Sequence, residues 1–227
     1  MNKISELLCA HSILVFATLM SVGIFLIAGW LPPIDPGRDA ADILAMFERD
    51  KLKIRIGMSV MAFASIFWWT FAGAVAQQMK RIEGQYHPLA SIQLACASGS
   101  VLAVLFPAYF WLAMAYRPDA ASPESVQLLN DFCWISFVGM YPPGFLQNIV
   151  IGACILLSKD QKIYPRWVGY ANLWLALGFT PGVLLPFLQS GPFAWNGIIG
   201  FWLVATCFFG WIVLMWWATV RAIRNNP

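Results

Sequence analysis

The side chains able to do chemistry in this chain of 227 residues are few, and they do not assemble into sets. There are two histidines, His11 and His87. A haem held between them is the one metal site they could make, but neither belongs to a His-x-x-x-His pair and each reads more simply as a helix-end residue. No metal and no cofactor is expected. The cysteines are Cys9, Cys96, Cys133, Cys154 and Cys207, with no Cys-x-x-Cys spacing, and Cys96, Cys133, Cys154 and Cys207 lie inside apolar runs where a thiol packs as a small hydrophobe. Among carboxylates, Asp131 stands out at the start of an apolar run, and Arg55 and Arg117 occupy a similar depth. A structural ion pair of Asp131 with Arg55 or Arg117 would offset the desolvation of an isolated charge, and the same group could mark an outer solute gate. Alternatively, Asp131 is a solvated interface residue. No apolar run has a carboxylate near its midpoint, which argues against a proton-coupled carrier with an acidic relay.

What remains is a set of amides and hydroxyls inside apolar sequence: Gln93, Ser98, Tyr141, Gln147, Asn148, Asn172 and Thr180. Such groups commonly hydrogen-bond between membrane helices as packing contacts. They can also line a pocket for a neutral solute or lipid. Asn148 and Asn172 are placed where they could face one another.

The elements that must position these groups follow from composition. The chain is 60% hydrophobic and 11% charged, against about 25% charged in a soluble domain. Net charge is +3 with basic residues scattered singly or in pairs, so no continuous basic face exists for nucleic acid. Six apolar runs, at 8–31, 54–76, 89–115, 132–157, 167–188 and 195–220, are each long enough to cross a bilayer. Barrel strands would alternate over about ten residues, whereas these runs are apolar on every side for twice that length. The expected class is all-α: a polytopic transmembrane bundle of six helices forming one integral membrane domain over residues 1–227, with an outer loop at 32–53. The first run exceeds a signal peptide's apolar region and is expected to stay as a span.

With both termini inside, Lys3, Lys80, Arg81, Lys159, Lys162, Arg166, Arg221 and Arg224 lie on the cytoplasmic side, and the far side holds Arg117 and the charge-balanced first loop. Trp30, Trp111, Tyr116, Trp134 and Trp195 fall near the outer ends, and Tyr164, Trp167, Trp216 and Trp217 near the inner ones, as in aromatic interface belts.

In the first loop, Asp39 is placed to cap a short helix with Ala40, Ile43, Leu44 and Phe47 on one face. It reads either as a connector resting that stripe on the bilayer surface or as a lid over a cavity. Ser122, Pro123 and Glu124 mark a helix start. From Pro123 to Leu157 is too long for one span, and Tyr141, Pro142, Pro143 and Gly144 supply the interruption. Thr180, Pro181 and Gly182 repeat the feature in the fifth span, and Pro107 sits in the third. Three breakable helices could bound a mid-membrane cavity, with Tyr141, Gln147, Asn148 and Thr180 as its ligand-binding residues; otherwise these are plain kinks.

The stretch Tyr164, Pro165, Arg166, Trp167, Val168, Gly169 and Tyr170, with Asn172, Trp174 and the Gly191 to Gly197 turn, resembles part of a group of small six-helix bacterial inner-membrane proteins. The resemblance implies a bacterial cytoplasmic membrane and six helices. Its motifs are anchors and turns, so it transfers no activity and no site residue.

Reactive constellations are missing while packing amides and aromatic anchors are present. The leading expectation is therefore a non-catalytic accessory subunit or a binder of a small lipid or hydrophobic ligand, with membrane lipids and a membrane-protein partner or a second copy as company. A carrier for a neutral or hydrophobic solute comes next. An intramembrane enzyme would have to work with tyrosine, amide and cysteine groups alone.

Overall fold

The structure, a computed structural model, describes residues 3–158 and 162–225, and Lys159 lies outside the described residues. Every regular element in it is helical. Six stretches are long and apolar enough to cross a membrane: Lys3–Ile27, Ala40–Glu83, Pro88–Tyr116, Pro123–Leu157, Arg166–Phe187 and Ile198–Asn225. The protein is thus a multi-pass helical membrane protein. With six spans, Lys3 and Asn225 lie at the same end of the bundle, called here the terminal end.

The first span is α1 (Lys3–Ser21) continued by a π-helical turn, Val22–Ile27. That wider turn is placed where α1 meets α2 (Ala40–Glu83) backbone to backbone. A Cβ on Gly23 would collide with the Gly57 carbonyl, and one on Gly57 with the Gly23 carbonyl, so only two glycines allow the approach.

α2 has 44 residues, about 66 Å at 1.5 Å per residue, twice what the hydrocarbon core requires. It merges the short loop helix and the second span across a bend at Asp50 (φ −105°, ψ 15°). The expected stripe on this arm does not rest on a bilayer surface. Ile43, Met46 and Phe47 are buried in the protein core, Phe47 against the Trp30 ring at 6.2 Å between centroids. Burying them in protein shields the arm's apolar face from solvent directly.

α3 (Pro88–Tyr116) carries Pro107 internally. Its start is capped from α2, where the Glu83 carboxylate accepts the backbone N–H groups of Leu89 (3.0 Å) and Ala90 (2.8 Å), satisfying two orphan donors. The fourth span divides as expected: α4 (Pro123–Gly139) begins at the Ser122 cap and ends before Met140, and α5 (Pro142–Leu157) restarts on the two prolines. The fifth span is α6 (Arg166–Phe179), which tightens into a 3₁₀ segment at Thr180–Phe187. The sixth begins with a π-helical turn, Ile198–Leu203, and continues as α7 (Val204–Asn225).

The tryptophans expected in an outer belt are mostly core residues. Trp30, Trp111 and Trp134 are buried and mutually in contact, with ring centroids 4.9 to 6.0 Å apart. Trp195 is buried too, its indole N–H donating to the Ile34 carbonyl at 2.8 Å and so tying the last hairpin to the first loop. Of that group only Tyr116 is exposed. At the terminal end Trp167 and Trp217 are exposed, while Tyr164 is buried and shares a 3.0 Å hydrogen bond with Thr219. Large aromatic rings near helix ends serve interior packing as readily as interfaces, and only the neighbours decide which.

Candidate functional site

A cavity of about 120 Å3 lies where the helix breaks converge, at mid-depth in the bundle. All six spans contribute to its wall. Met20 and Phe25 come from the first, Trp68 from α2, Ser100, Ala103 and Val104 from α3, and Phe179 from α6. Residues on both sides of the α4–α5 break, and Phe201, Val204, Phe208 and Trp211 of the last span, complete it.

The prolines explain its position. Pro107 has no N–H to offer the Ala103 carbonyl, and Pro142 none to offer that of Val138, and both Ala103 and Val138 line the cavity. Irregular backbone at this depth belongs where protein or a cavity surrounds it, since lipid cannot supply the missing donors.

Within a largely aromatic and aliphatic wall, three buried side chains bear polar atoms without a partner: Trp68 Nε1, Gln147 Nε2 and Asn148 Oδ1. The residues are 5%, 2% and 2% exposed, so bulk water does not satisfy them. Their chemistry differs. Trp68 is a donor only. The Asn148 amide nitrogen is committed to the Gly144 carbonyl at 2.8 Å, one turn back along α5, which turns its oxygen outward as a free acceptor. Gln147 sits against the Ser100 hydroxyl at 3.4 Å, and because a hydroxyl both donates and accepts, Gln147 can present either end of its amide. Each unpartnered buried group costs about 1 to 3 kcal/mol, a cost that a bound polar group would remove.

Tyr141 also lines the cavity, with its ring held edge-on to Phe145 at 6.4 Å. Gly182 of the fifth span packs against that tyrosine, where a Cβ would come within 3.3 Å of Cδ1. Thr180 does not belong to the wall. Its hydroxyl donates to the Leu177 carbonyl at 2.8 Å, which also accepts from the Thr180 backbone N–H, so the break in the fifth span is satisfied locally. Asn172 is likewise occupied elsewhere. It donates to the Val168 carbonyl (2.8 Å) and accepts from the Trp211 indole (3.2 Å), and it does not pair with Asn148. Trp68 was not singled out from sequence; a tryptophan inside an apolar run gives no sign that its N–H lacks a partner.

The expected Asp131 ion pair is absent among the described residues. Arg55 instead donates to the carbonyls of Ala115 (2.9 Å) and Tyr116 (2.7 Å), closing the end of α3, where orphan carbonyls and the helix dipole both favour a cation. Arg117 lies over the Tyr116 ring at 5.3 Å. Among the described residues ion pairs form at Arg49–Asp50 and Lys53–Asp50 and, largely buried, at Arg81–Glu6, 2.7 Å. Gln78 bridges the last, donating to Glu6 at 3.0 Å and accepting from Arg81 at 2.8 Å, and so joins α1 to α2 at the terminal end.

Among the described residues, no carboxylate, histidine, lysine, arginine or cysteine lines the cavity. The arrangement offers hydrogen bonds and apolar contact, with no base, acid or nucleophile pair beside them. No protein-family profile, no curated protein and no solved structure matches this chain, so the geometry of the cavity is what bears on function.

Proposed function

We propose that this protein binds a small, uncharged, mainly apolar molecule carrying a hydroxyl or carbonyl group, held within the bundle of a bacterial cytoplasmic membrane with both termini inside. The observation that carries the reading is the presence of Trp68 Nε1–H, Asn148 Oδ1 and Gln147 Nε2, each buried and unpartnered, on residues lining one apolar cavity. A hydroxyl accepts from Trp68 and donates to Asn148; a carbonyl uses Trp68 and Gln147. A cavity of similar size lined by leucine, isoleucine and phenylalanine stays dry and takes a benzene-sized guest, so about 120 Å3 suits the head and first carbons of such a ligand, with the remainder extending between helices.

The test compares dodecanol with dodecane as additives to the purified protein in mild detergent, read by thermal unfolding. Dodecanol raises Tm and dodecane does so less. Asn148→Leu removes the acceptor and weakens dodecanol binding about fivefold, the worth of one ordinary hydrogen bond, without changing the response to dodecane. Equal responses to alcohol and alkane, or an unaltered dodecanol response in Asn148→Leu, would leave a packed bundle whose cavity holds water.

A carrier for the same class of solute is the second reading. It is favoured by the position of two broken helices side by side at the cavity, the Met140–Tyr141 break against Gly182, where a small change of angle would move the wall. Saturable uptake of a labelled alcohol into proteoliposomes separates carriage from binding.

A further inference from the structure

A second pocket, about 280 Å3, opens at the terminal end between α1 and α7 and is distinct from the mid-depth cavity. Its lining is His11, Trp216, Trp217, Val220, Arg221, Arg224 and Asn225. We propose that it holds the phosphate of an anionic phospholipid, with an acyl chain laid along the outer face of α7.

The polar half of the pocket is preorganised for an anion. The Trp216 indole N–H donates to His11 Nδ1 at 3.0 Å, so in the neutral ring the proton sits on Nε2, the nitrogen that remains for a ligand. Arg221 and Arg224, three residues apart, lie on the same face of α7. The Arg221 guanidinium is carried over the Trp217 ring at 5.6 Å, which limits its freedom while leaving its N–H groups to the rim. Neither arginine has a carboxylate partner among the described residues; at this end Glu6 is taken by Arg81 and Gln78, and Glu83 by the Leu89 and Ala90 backbone N–H groups. Two guanidiniums and an imidazole N–H therefore line one pocket with no ion-pair partner among the described residues. The fork geometry of arginine suits two phosphate oxygens. The C-terminal dipole of α7 opposes an anion, but its partial charge of about half a unit is outweighed by two full positive charges.

The apolar half makes the ligand a lipid. Gly210, Val213 and Trp217 recur at helical spacing beneath the arginines and are all exposed, with Val213 at 57%. A Cβ on Gly210 would meet nothing within 4 Å, so the track narrows to a shallow groove. Trp167 of α6 stands beside it, its ring 5.5 Å from that of Trp217 and itself exposed. Arginines at the membrane edge above an open apolar track match a headgroup and its chain.

The test uses the whole protein in mild detergent, titrated with phosphatidylglycerol, with phosphatidylcholine of the same chains, and with inorganic phosphate, read by thermal unfolding and by lipid adducts in native mass spectra. Phosphatidylglycerol is expected to raise Tm and to form a one-to-one adduct, with phosphatidylcholine and phosphate far weaker. Each arginine removed, in Arg221→Gln and in Arg224→Gln, weakens phosphatidylglycerol binding about fivefold. Arg117→Gln, at the opposite end, leaves it unchanged. Both pocket arginines are exposed, so the variants should keep the lipid-free Tm; were Arg221→Gln unstable, Arg224→Gln alone gives the same reading. Equal response to the two phospholipids, or full binding in the arginine variants, overturns the proposal. Reproduction of the whole effect by inorganic phosphate overturns it too, in favour of a free-anion site.

Discussion

At the scale of single residues, the charged groups near the membrane edges serve helix ends more than one another. Arg55 caps the last carbonyls of α3, and the Glu83 carboxylate caps its first N–H groups, so the same helix is closed at both ends by side chains reaching from α2. The physical reason is general: the four terminal donors and four terminal acceptors of a helix want partners, and a charged group of the right sign gains from the dipole as well. This separates Arg55 from Asp131 experimentally. Arg55→Ala is expected to lower stability by about 1 kcal/mol, or roughly 2 to 4 °C in a chain of this size. Asp131→Asn, which breaks no ion pair, should leave the thermal midpoint nearly unchanged. A comparable loss in both variants, recovered when the two are combined, would restore the ion pair in place of the cap.

At the scale of elements, the arm of α2 before the Asp50 bend is held by apolar contact with the tryptophan cluster. Phe47 is fully buried there, and the Gln127 side chain ties α4 to the base of the arm through the Arg38 carbonyl at 3.1 Å. Truncating a buried phenylalanine costs about 3 to 5 kcal/mol. Because the arm is hinged at Asp50, much of that loss should appear as local opening. Limited trypsin digestion of Phe47→Ala should therefore cut at Arg49, Lys51 or Lys53 much faster than in the wild type, while the detergent-solubilised spans remain helical by circular dichroism. Unchanged cleavage at these sites would mean the arm is held by something other than its apolar stripe. The α4–α5 break has a different logic. Two prolines end hydrogen bonding along the helix, and the cavity occupies the space beside the interruption.

At the scale of the whole molecule, six spans place the α2–α3 turn at the same end as the termini and the α3–α4 connection at the other. Tyr86 is 81% exposed in the first of these and Asp119 is exposed in the second, so each can carry a reporter without disturbing the core. With the native cysteines replaced, Asp119→Cys is expected to react with an impermeant thiol reagent in intact cells, and Tyr86→Cys only after lysis. The reverse pattern would invert the molecule and put the basic pocket of α7 on the outer leaflet. Reaction of both in intact cells would rule out the single crossing by α3 that separates them.

Much of this architecture was legible without coordinates. Hydrophobic run length is a property of the chain alone, since a span must satisfy its backbone internally over a fixed thickness; hence the six helices, and the break at Pro142 and Pro143, where the missing N–H groups are covalent facts. The cavity's depth followed from those same prolines, and with it Tyr141, Gln147 and Asn148. What the sequence could not decide was partnership. Thr180 next to Pro181 looks like a pocket residue until its hydroxyl is seen to close on Leu177; Trp30, Trp111 and Trp134 look like an interface belt until the end of the first span, α3 and α4 bring them together; Arg55 and Asp131 share a depth but not a contact. Whether a polar atom is satisfied depends on groups 40 to 200 residues away in the chain, as for Trp68 in the cavity or His11 with Trp216. Only the packing of one helix on another sets that, because hydrogen-bond geometry is fixed to tenths of an ångström while sequence spacing fixes no more than a face and a depth.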